Sequence, residues 1–276
     1  MLEARRKYEQ LLQNLRQLKR IVVAFSGGVD STFLLKAAIE ALGSECVLAV
    51  TANSETYPER ELQEAIALAG ELGSLHLVIE TSELNIPGYA ENPTNRCYYC
   101  KQELFSHLIP IAKERGYDHV VFGAIADDLG EHRPGLQAAI ENGVRAPLQE
   151  AGLTKAEIRQ LSREMGLRTW DKPSFACLSS RIPYGEVITL GKLTMIDQAE
   201  QFLMDLGFRQ VRVRQHDKLA RIEVSPEDIQ KLVGFSELVV EKLKSIGYTY
   251  VCIDLQGYRS GSLNETLQSL DMVSNQ

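Results

Sequence analysis

The run Ser26-Gly27-Gly28-Val29-Asp30-Ser31-Thr32 follows an apolar stretch, Ile21 to Phe25. Two glycines let the backbone approach oxygen atoms closely, and a helix opening just beyond them points its first amides at the same spot, which suits an anion. Ser26, Ser31 and Thr32 add hydroxyl donors. Asp30 is a carboxylate beside that nest, useful there only across a cation such as Mg²⁺. Three thiols form a second set. Cys97-Tyr-Tyr-Cys100 stands among turn and polar residues, and Cys177 lies within Ser174-Phe-Ala-Cys-Leu-Ser-Ser-Arg181, a setting that favours a thiolate. Three converging thiolates would hold a 4Fe-4S cluster and leave one iron open to an external ligand such as sulfide. A redox dithiol with a separate nucleophilic Cys177 is the competing chemistry, and a structural role is the third. Arg212-Val-Arg214 alternates along a strand pattern, which puts both guanidiniums on one face. With Ser180 and Arg181 they make a donor-rich set suited to a phosphorylated, carboxylate-bearing substrate. Glu200, on the helix between them, reads either as part of that set or as surface charge.

These residues need a frame. Ile21–Phe25 reads as a buried strand, followed by a helix from Thr32 to Leu42, a strand at Cys46–Val50 and a helix from Glu59 to Leu72. Leu75–Ile79 is a third strand. Glu83 to Arg96 is a loop marked by Pro87, Gly88 and Pro93; a helix at Lys101–Arg115 and a strand at Asp118–Phe122 follow. Strands alternating with helices predict an α/β fold with a doubly wound parallel sheet, whose ligands bind at the carboxyl ends of the strands. Asp127 and Asp128, just after the strand ending at Phe122, face that crevice, and Arg133 continues the loop towards phosphate. Thr154 and Glu157 have capping-box spacing for a helix to Met165. Beyond Pro183–Gly185 the pattern changes to helix, two strands, helix Pro226–Ile246 and strand Tyr250–Leu255. That divides the chain into a nucleotide domain, 1–183, and a smaller α+β domain, 184–276. Cys46 and Cys252, in apolar strand-like stretches, read as core.

The net charge of −7 argues against a predominantly nucleic-acid-binding surface. No apolar run approaches a membrane span, and the N-terminal twenty residues read as a charged amphipathic helix without an export core. Both points predict a cytoplasmic protein, where disulfides are disfavoured.

SGGVDS after a hydrophobic strand resembles the PP-loop of the N-type ATP pyrophosphatases, which cleave ATP between its α- and β-phosphates. The resemblance sharpens further along the chain. Arg133-Pro-Gly-Leu136, Cys177-Leu-Ser-Ser-Arg-Ile-Pro-Tyr-Gly185, Arg212-Val-Arg214, Ala220-Arg-Ile-Glu223 and Asp254-Leu-Gln-Gly-Tyr-Arg-Ser-Gly261 together look like the LarE family. That family comprises the sulfur transferases of nickel-pincer nucleotide synthesis. The resemblance implies ATP and Mg²⁺ at Ser26, Gly27, Gly28, Asp30, Ser31 and Asp127, and catalytic roles for Asp30 and Cys177. It implies substrate binding by Ser180, Arg181, Glu200, Arg212 and Arg214, and a homohexamer. Members with one cysteine at the Cys177 position give up its sulfur. Cys97 and Cys100 place this chain with the three-cysteine form, in which Cys97, Cys100 and Cys177 hold a 4Fe-4S cluster. A tRNA-thiolating PP-loop enzyme and a non-enzymatic nucleotide- or metal-binding scaffold are the alternatives.

Overall fold

The computed structural model describes residues 2–129, 134–259 and 261–264. Arg133 and Ser260, which the sequence motifs include, lie outside the described residues. The chain divides into two compact units, Met1–Tyr89 with Thr94–Phe175, and Ala90–Pro93 with Ala176–Gln276.

The first unit contains α1 (Leu2–Arg16), β1 (Ile21–Ala24), α2 (Val29–Leu42), β2 (Val47–Asn53), α3 (Glu59–Glu71) and β3 (Leu75–Glu80). It continues through α4 (Arg96–Glu114), β4 (His119–Phe122), α5 (Pro134–Glu141), α6 (Pro147–Glu150) and α7 (Lys155–Glu164). The four strands pair in parallel in the order β3-β2-β1-β4. Successive strand side chains point to opposite faces, and β1 is apolar on both. Ile21 and Val23 join one core with Leu11, Leu15, Phe33, Leu34, Ile158 and Leu161; Val22 joins the other with Phe105 and Leu108. Helices therefore cover both faces, as the alternating pattern predicts.

The second unit contains α8 (Leu190–Asp205), β5 (Val211–His216), β6 (Leu219–Val224), α9 (Ile229–Gly234), α10 (Ser236–Ile246) and β7 (Tyr250–Ile253). Its sheet runs β5-β6-β7, antiparallel then parallel. Val211, Val213, Ala220, Ile222 and Val224 pack on Ala199 and Leu203 of α8 and on Val239 and Leu243 of α10. Register sets Arg212 opposite Glu223 and Arg214 opposite Arg221, so the other face of the same sheet is charged.

Several boundaries differ from the sequence reading. The α2 helix opens at Val29 rather than Thr32, with Gly28 as its extended N-cap, so Asp30 and Ser31 occupy its first turn. Thr32 is then fully buried rather than offered to the nest. The α4 helix begins at Arg96, so Cys97 and Cys100 lie in its opening turns rather than before it; no Gly or Pro separates them from Lys101. The helix expected over Pro226–Ile246 breaks at Gly234 and Phe235. Cys46 is only half-buried, and Cys252 is exposed because β7 is the sheet edge. The units part between Phe175 and Ala176 rather than at 183/184, because Leu178, Arg181 and Ile182 are buried within the second.

Candidate active site

The nest in the first unit is built on a glycine that needs its freedom. Gly27 has φ +62°, and a Cβ there would stand 3.1 Å from Ala65. Ser31 Oγ fastens the turn, accepting from Ser26 N at 3.3 Å, lying 3.1 Å from Ser26 Oγ and donating to Gly28 O at 3.3 Å. The helix ladder starts only at Thr32 N, which donates to Gly28 O, so the amides before it belong to the helix opening, where positive potential gathers. The β4 exit approaches closely: a Cβ on Gly123 would meet Ser31 N at 3.2 Å.

Asp30 accepts from Lys155 Nζ through both oxygens, each at 2.8 Å. Burial pushes its carboxyl above the usual range; the Lys155 ammonium opposes that shift, and the Asp128 charge adds to it. Lys155 is the first residue of α7, whose cap Thr154 Oγ1 accepts from Glu157 N while Glu157 accepts from Thr154 N. Asp127 accepts from Lys155 N at 2.7 Å, and Asp128 accepts from Ile125 N at 3.0 Å. Both carboxylates expected in the crevice are thus engaged with local backbone. Sequence reasoning missed Lys155 and Lys172. The capping box at Thr154 was legible, and with it a helix opening at residue 155; that this opening meets Asp30 was not.

In the second unit Cys177 is half-buried and caps the 3-10 turn Leu178–Arg181. Arg181 is completely buried. Its Nε and Nη2 donate to the two oxygens of Glu200, each at 2.8 Å, and its Nη1 donates to Cys177 O at 3.0 Å, to Ser180 Oγ at 2.9 Å and to Ala176 O. Burial alone would pull the guanidinium down, but the Glu200 carboxylate outweighs it. Burial likewise pushes Glu200 up, and the Arg181 charge, its hydrogen bonds and Arg212 bring it below the usual carboxylate range. Glu200, which also accepts from Val213 N at 2.9 Å, is therefore no surface charge.

Arg212 and Arg214 are both buried on the charged face. Burial and the nearby Arg181 charge pull Arg212 down to about 10, and its guanidinium sits 5.4 Å from the Tyr258 ring centroid. Arg214 donates to Ser180 O and Glu223, each at 2.8 Å, and to Ser262 Oγ at 3.0 Å, while its buried Nε has no partner among the described residues. The second unit therefore brings together Cys177, Ser180, Arg181, Glu200, Arg212 and Arg214. The first unit gathers Ser26, Gly27, Gly28, Asp30, Ser31 and Asp127. Cys97 and Cys100 lie in the first turns of α4, and the Cys100 thiol donates to the buried Glu83 carboxylate at 3.8 Å. Among the described residues, no group of three or more His, Cys, Asp or Glu side chains is placed to hold a metal ion.

Residues 5–102 match the NAD synthase family model. Over 268 residues the chain is 40% identical to the pyridinium-3,5-bisthiocarboxylic acid mononucleotide synthase of Lactiplantibacillus plantarum, a match covering 97% of each chain. The chain belongs to the LarE family. It is also 48% identical over 265 residues to an uncharacterized protein of Synechocystis sp., covering 94% of this chain and 98% of that one. A third relative, an uncharacterized protein of Methanocaldococcus jannaschii, is 31% identical over 258 residues, or 92% and 98% of the two chains. The LarE assignment agrees with the parallel sheet, the glycine turn at its carboxyl edge and the small second sheet. Among the described residues, no helix is long and apolar enough to cross a membrane.

Proposed function

We propose that this protein uses ATP to adenylate the carboxylates of pyridinium-3,5-biscarboxylic acid mononucleotide and replaces the activated oxygen with sulfur. The products are the thiocarboxylates of the nickel-pincer nucleotide cofactor. The observation that carries this reading is the match to the Lactiplantibacillus plantarum synthase across nearly all of both chains. In the first step a substrate carboxylate oxygen attacks the α-phosphorus of ATP, the α–β P–O bond breaks, and pyrophosphate leaves with the bonding electrons. In the second, a sulfur nucleophile attacks the acyl carbon and AMP departs, a far better leaving group than the original oxygen.

The residues divide these tasks. Amides and hydroxyls of Ser26, Gly27, Gly28 and Ser31 bind the phosphates, as helix openings do. Asp30 fits a Mg²⁺ ligand: it is a carboxylate beside the nest that already holds a cation, the Lys155 ammonium. Mg²⁺ there would neutralise charge building on the leaving pyrophosphate. Asp127 serves the nucleotide site by holding the first amide of α7. Arg212, Arg214 and Ser180 bind the substrate's phosphate and carboxylates, while Arg181 and Glu200 hold the turn that carries Cys177 and Ser180.

Cys97, Cys100 and Cys177 form no disulfide among the described residues, and we assign to them a 4Fe-4S cluster. Cys97 and Cys100, one helical turn apart, fit two of its ligands, and Cys177 would be the third. Bound by three thiolates, such a cluster would leave one iron open to carry the sulfide for transfer. The same reading includes a cytoplasmic location and a homohexamer.

Cys177→Ala should abolish thiolation while ATP- and substrate-dependent pyrophosphate release continues; thiolation retained in that variant overturns the role of Cys177. Anaerobic purification with iron and acid-labile sulfide counts tests the cluster. Iron-free protein that loses the mass of one sulfur from Cys177 on turnover would place the enzyme in the sacrificial form instead.

A further inference from the structure

Three successive carbonyls entering the loop of the first unit are each held by a side chain from elsewhere in that unit. Thr51 Oγ1 donates to Phe25 O at 2.8 Å, Tyr57 Oη to Ser26 O at 2.8 Å, and Lys172 Nζ to Gly27 O at 3.2 Å. The next carbonyl, Gly28 O, accepts from Ser31 Oγ and Thr32 N. The peptide unit is planar and trans, so its N–H points opposite its C=O. Fixing the oxygens of Phe25, Ser26 and Gly27 therefore fixes where the N–H groups of Ser26, Gly27 and Gly28 point, the first of them onto Ser31 Oγ at 3.3 Å. A carbonyl turned into the nest would repel an anion; one held from behind cannot turn.

We propose that Thr51, Tyr57 and Lys172 are positioning residues for the phosphate loop, holding its carbonyls outward so that the Gly27 and Gly28 amides face the anion while the Ser26 amide holds the Ser31 hydroxyl. This rests on the reading of the loop as the ATP phosphate site.

Each donor is itself held. Thr51 is buried within β2, and its single hydroxyl proton goes to Phe25 O. His76, with Nε2 only 2.9 Å from Thr51 Oγ1, must then donate its Nε2–H to that oxygen. Burial lowers the His76 imidazole, which keeps it neutral at physiological pH with the proton on Nε2. Tyr57 packs edge-on against Phe175 at 5.8 Å between ring centroids. Burial, with the Glu61 and Glu64 charges, pushes its phenol far above the usual range, so it stays a donor. Lys172 is fixed between Glu61 at 2.8 Å and Glu64 at 2.6 Å, and Arg159 Nη2 donates to its backbone oxygen at 2.8 Å. Three side chains thus converge on three successive peptide units.

The test is calorimetric titration of the full-length protein with inorganic pyrophosphate and, separately, with adenosine. Tyr57→Phe removes only the hydroxyl and keeps the ring against Phe175; Thr51→Val removes the second donor and Thr51→Ser restores it. Tyr57→Phe and Thr51→Val should each weaken pyrophosphate about two- to tenfold, the range of one hydrogen bond, and leave adenosine unchanged. Thr51→Ser should bind pyrophosphate like the wild type. If the wild type binds pyrophosphate and Tyr57→Phe binds it equally well, the positioning role is overturned while the phosphate reading stands. Equal weakening of pyrophosphate and adenosine would mean general loosening and also overturn it. A wild type that binds no pyrophosphate would remove the phosphate reading itself.

Discussion

As proposed, the two candidate sites would recognise anions by opposite means. In the first unit the groups turned to the ligand are main-chain amides and small hydroxyls, and the charged side chains Lys155 and Lys172 are held by carboxylates. In the second unit the donors proposed for the substrate are the Arg212 and Arg214 guanidiniums, set beside an Arg181–Glu200 pair that is itself completely inaccessible. A backbone nest costs little in desolvation, because amides are neutral, but it depends on an accurate fold of a few peptide units. A buried charge cluster is expensive to assemble and tolerates no missing member, since an orphaned charge has no water to turn to.

That difference predicts unequal responses to substitution, the largest in the second unit. Glu200→Ala leaves Arg181 buried without its partner and should destabilise the protein by about 3–5 kcal/mol, read by chemical denaturation. Replacing both residues with apolar ones of similar volume should recover much of that loss. The pH dependence has a definite sign. Glu200 is depressed in the folded state, so its contribution is complete above the unfolded carboxyl value of about 4.3 and is lost as pH falls through its lower folded value. Stability that did not change on acidification through that range would contradict the pairing.

The nest should fail more gently. Gly27→Ala forces a side chain into positive φ and brings its Cβ against Ala65. The left-handed conformation costs roughly 1–2 kcal/mol for an L-residue, so the melting temperature should drop by a few degrees. ATP-dependent pyrophosphate release should suffer more than stability, because relaxation at Gly27 swings the amides that face phosphate. A variant with wild-type turnover would show that amide geometry at Gly27 is unimportant, leaving the first unit to rely on its charged side chains as the second does.

How legible each region was follows from the same contrast. The nest is local: Ser26 to Ser31 are contiguous, the apolar run before them fixes β1, and the alternating strands place the turn at the sheet's carboxyl edge. Its supports are not local. Lys155 and Lys172 reach it from more than a hundred residues away, and nothing in their own neighbourhood says which carbonyl or carboxylate they will meet. The Arg212/Arg214 alternation gave the shared face but not its burial, because the Arg181–Glu200 pair that neutralises the interior forms only when the 3-10 turn packs on α8. Cys97 and Cys100 were legible as a pair, yet the helix start was set too late because the turn residues before them obscured it. Cys252 was misplaced for a further reason. Tyr250-Val-Cys-Ile253 reads as a buried strand by composition, but only tertiary pairing decides that β7 is an edge.

Cys252 gives the smallest predicted effect and marks where the charged face ends. It lies directly opposite Arg221 in the β6–β7 register, on the face that carries Arg212 and Arg214. A thiol beside guanidiniums invites a role in sulfur transfer. Its surroundings argue otherwise: burial raises the thiol, Arg221 only partly offsets that, and the Asp254 charge raises it further, so Cys252 stays protonated near neutral pH. The nearest charged residue is also already committed, because Arg221 pairs with Asp254 at 2.8 Å and with Glu223 at 3.3 Å. Cys252→Ser should therefore change stability by no more than about 0.5 kcal/mol, as exposed positions do, and leave thiolation intact. Loss of thiolation with pyrophosphate release preserved would extend the sulfur site across the whole charged face to the sheet edge. Unchanged thiolation confines it to the β5 side, where Arg181 holds the Cys177 turn.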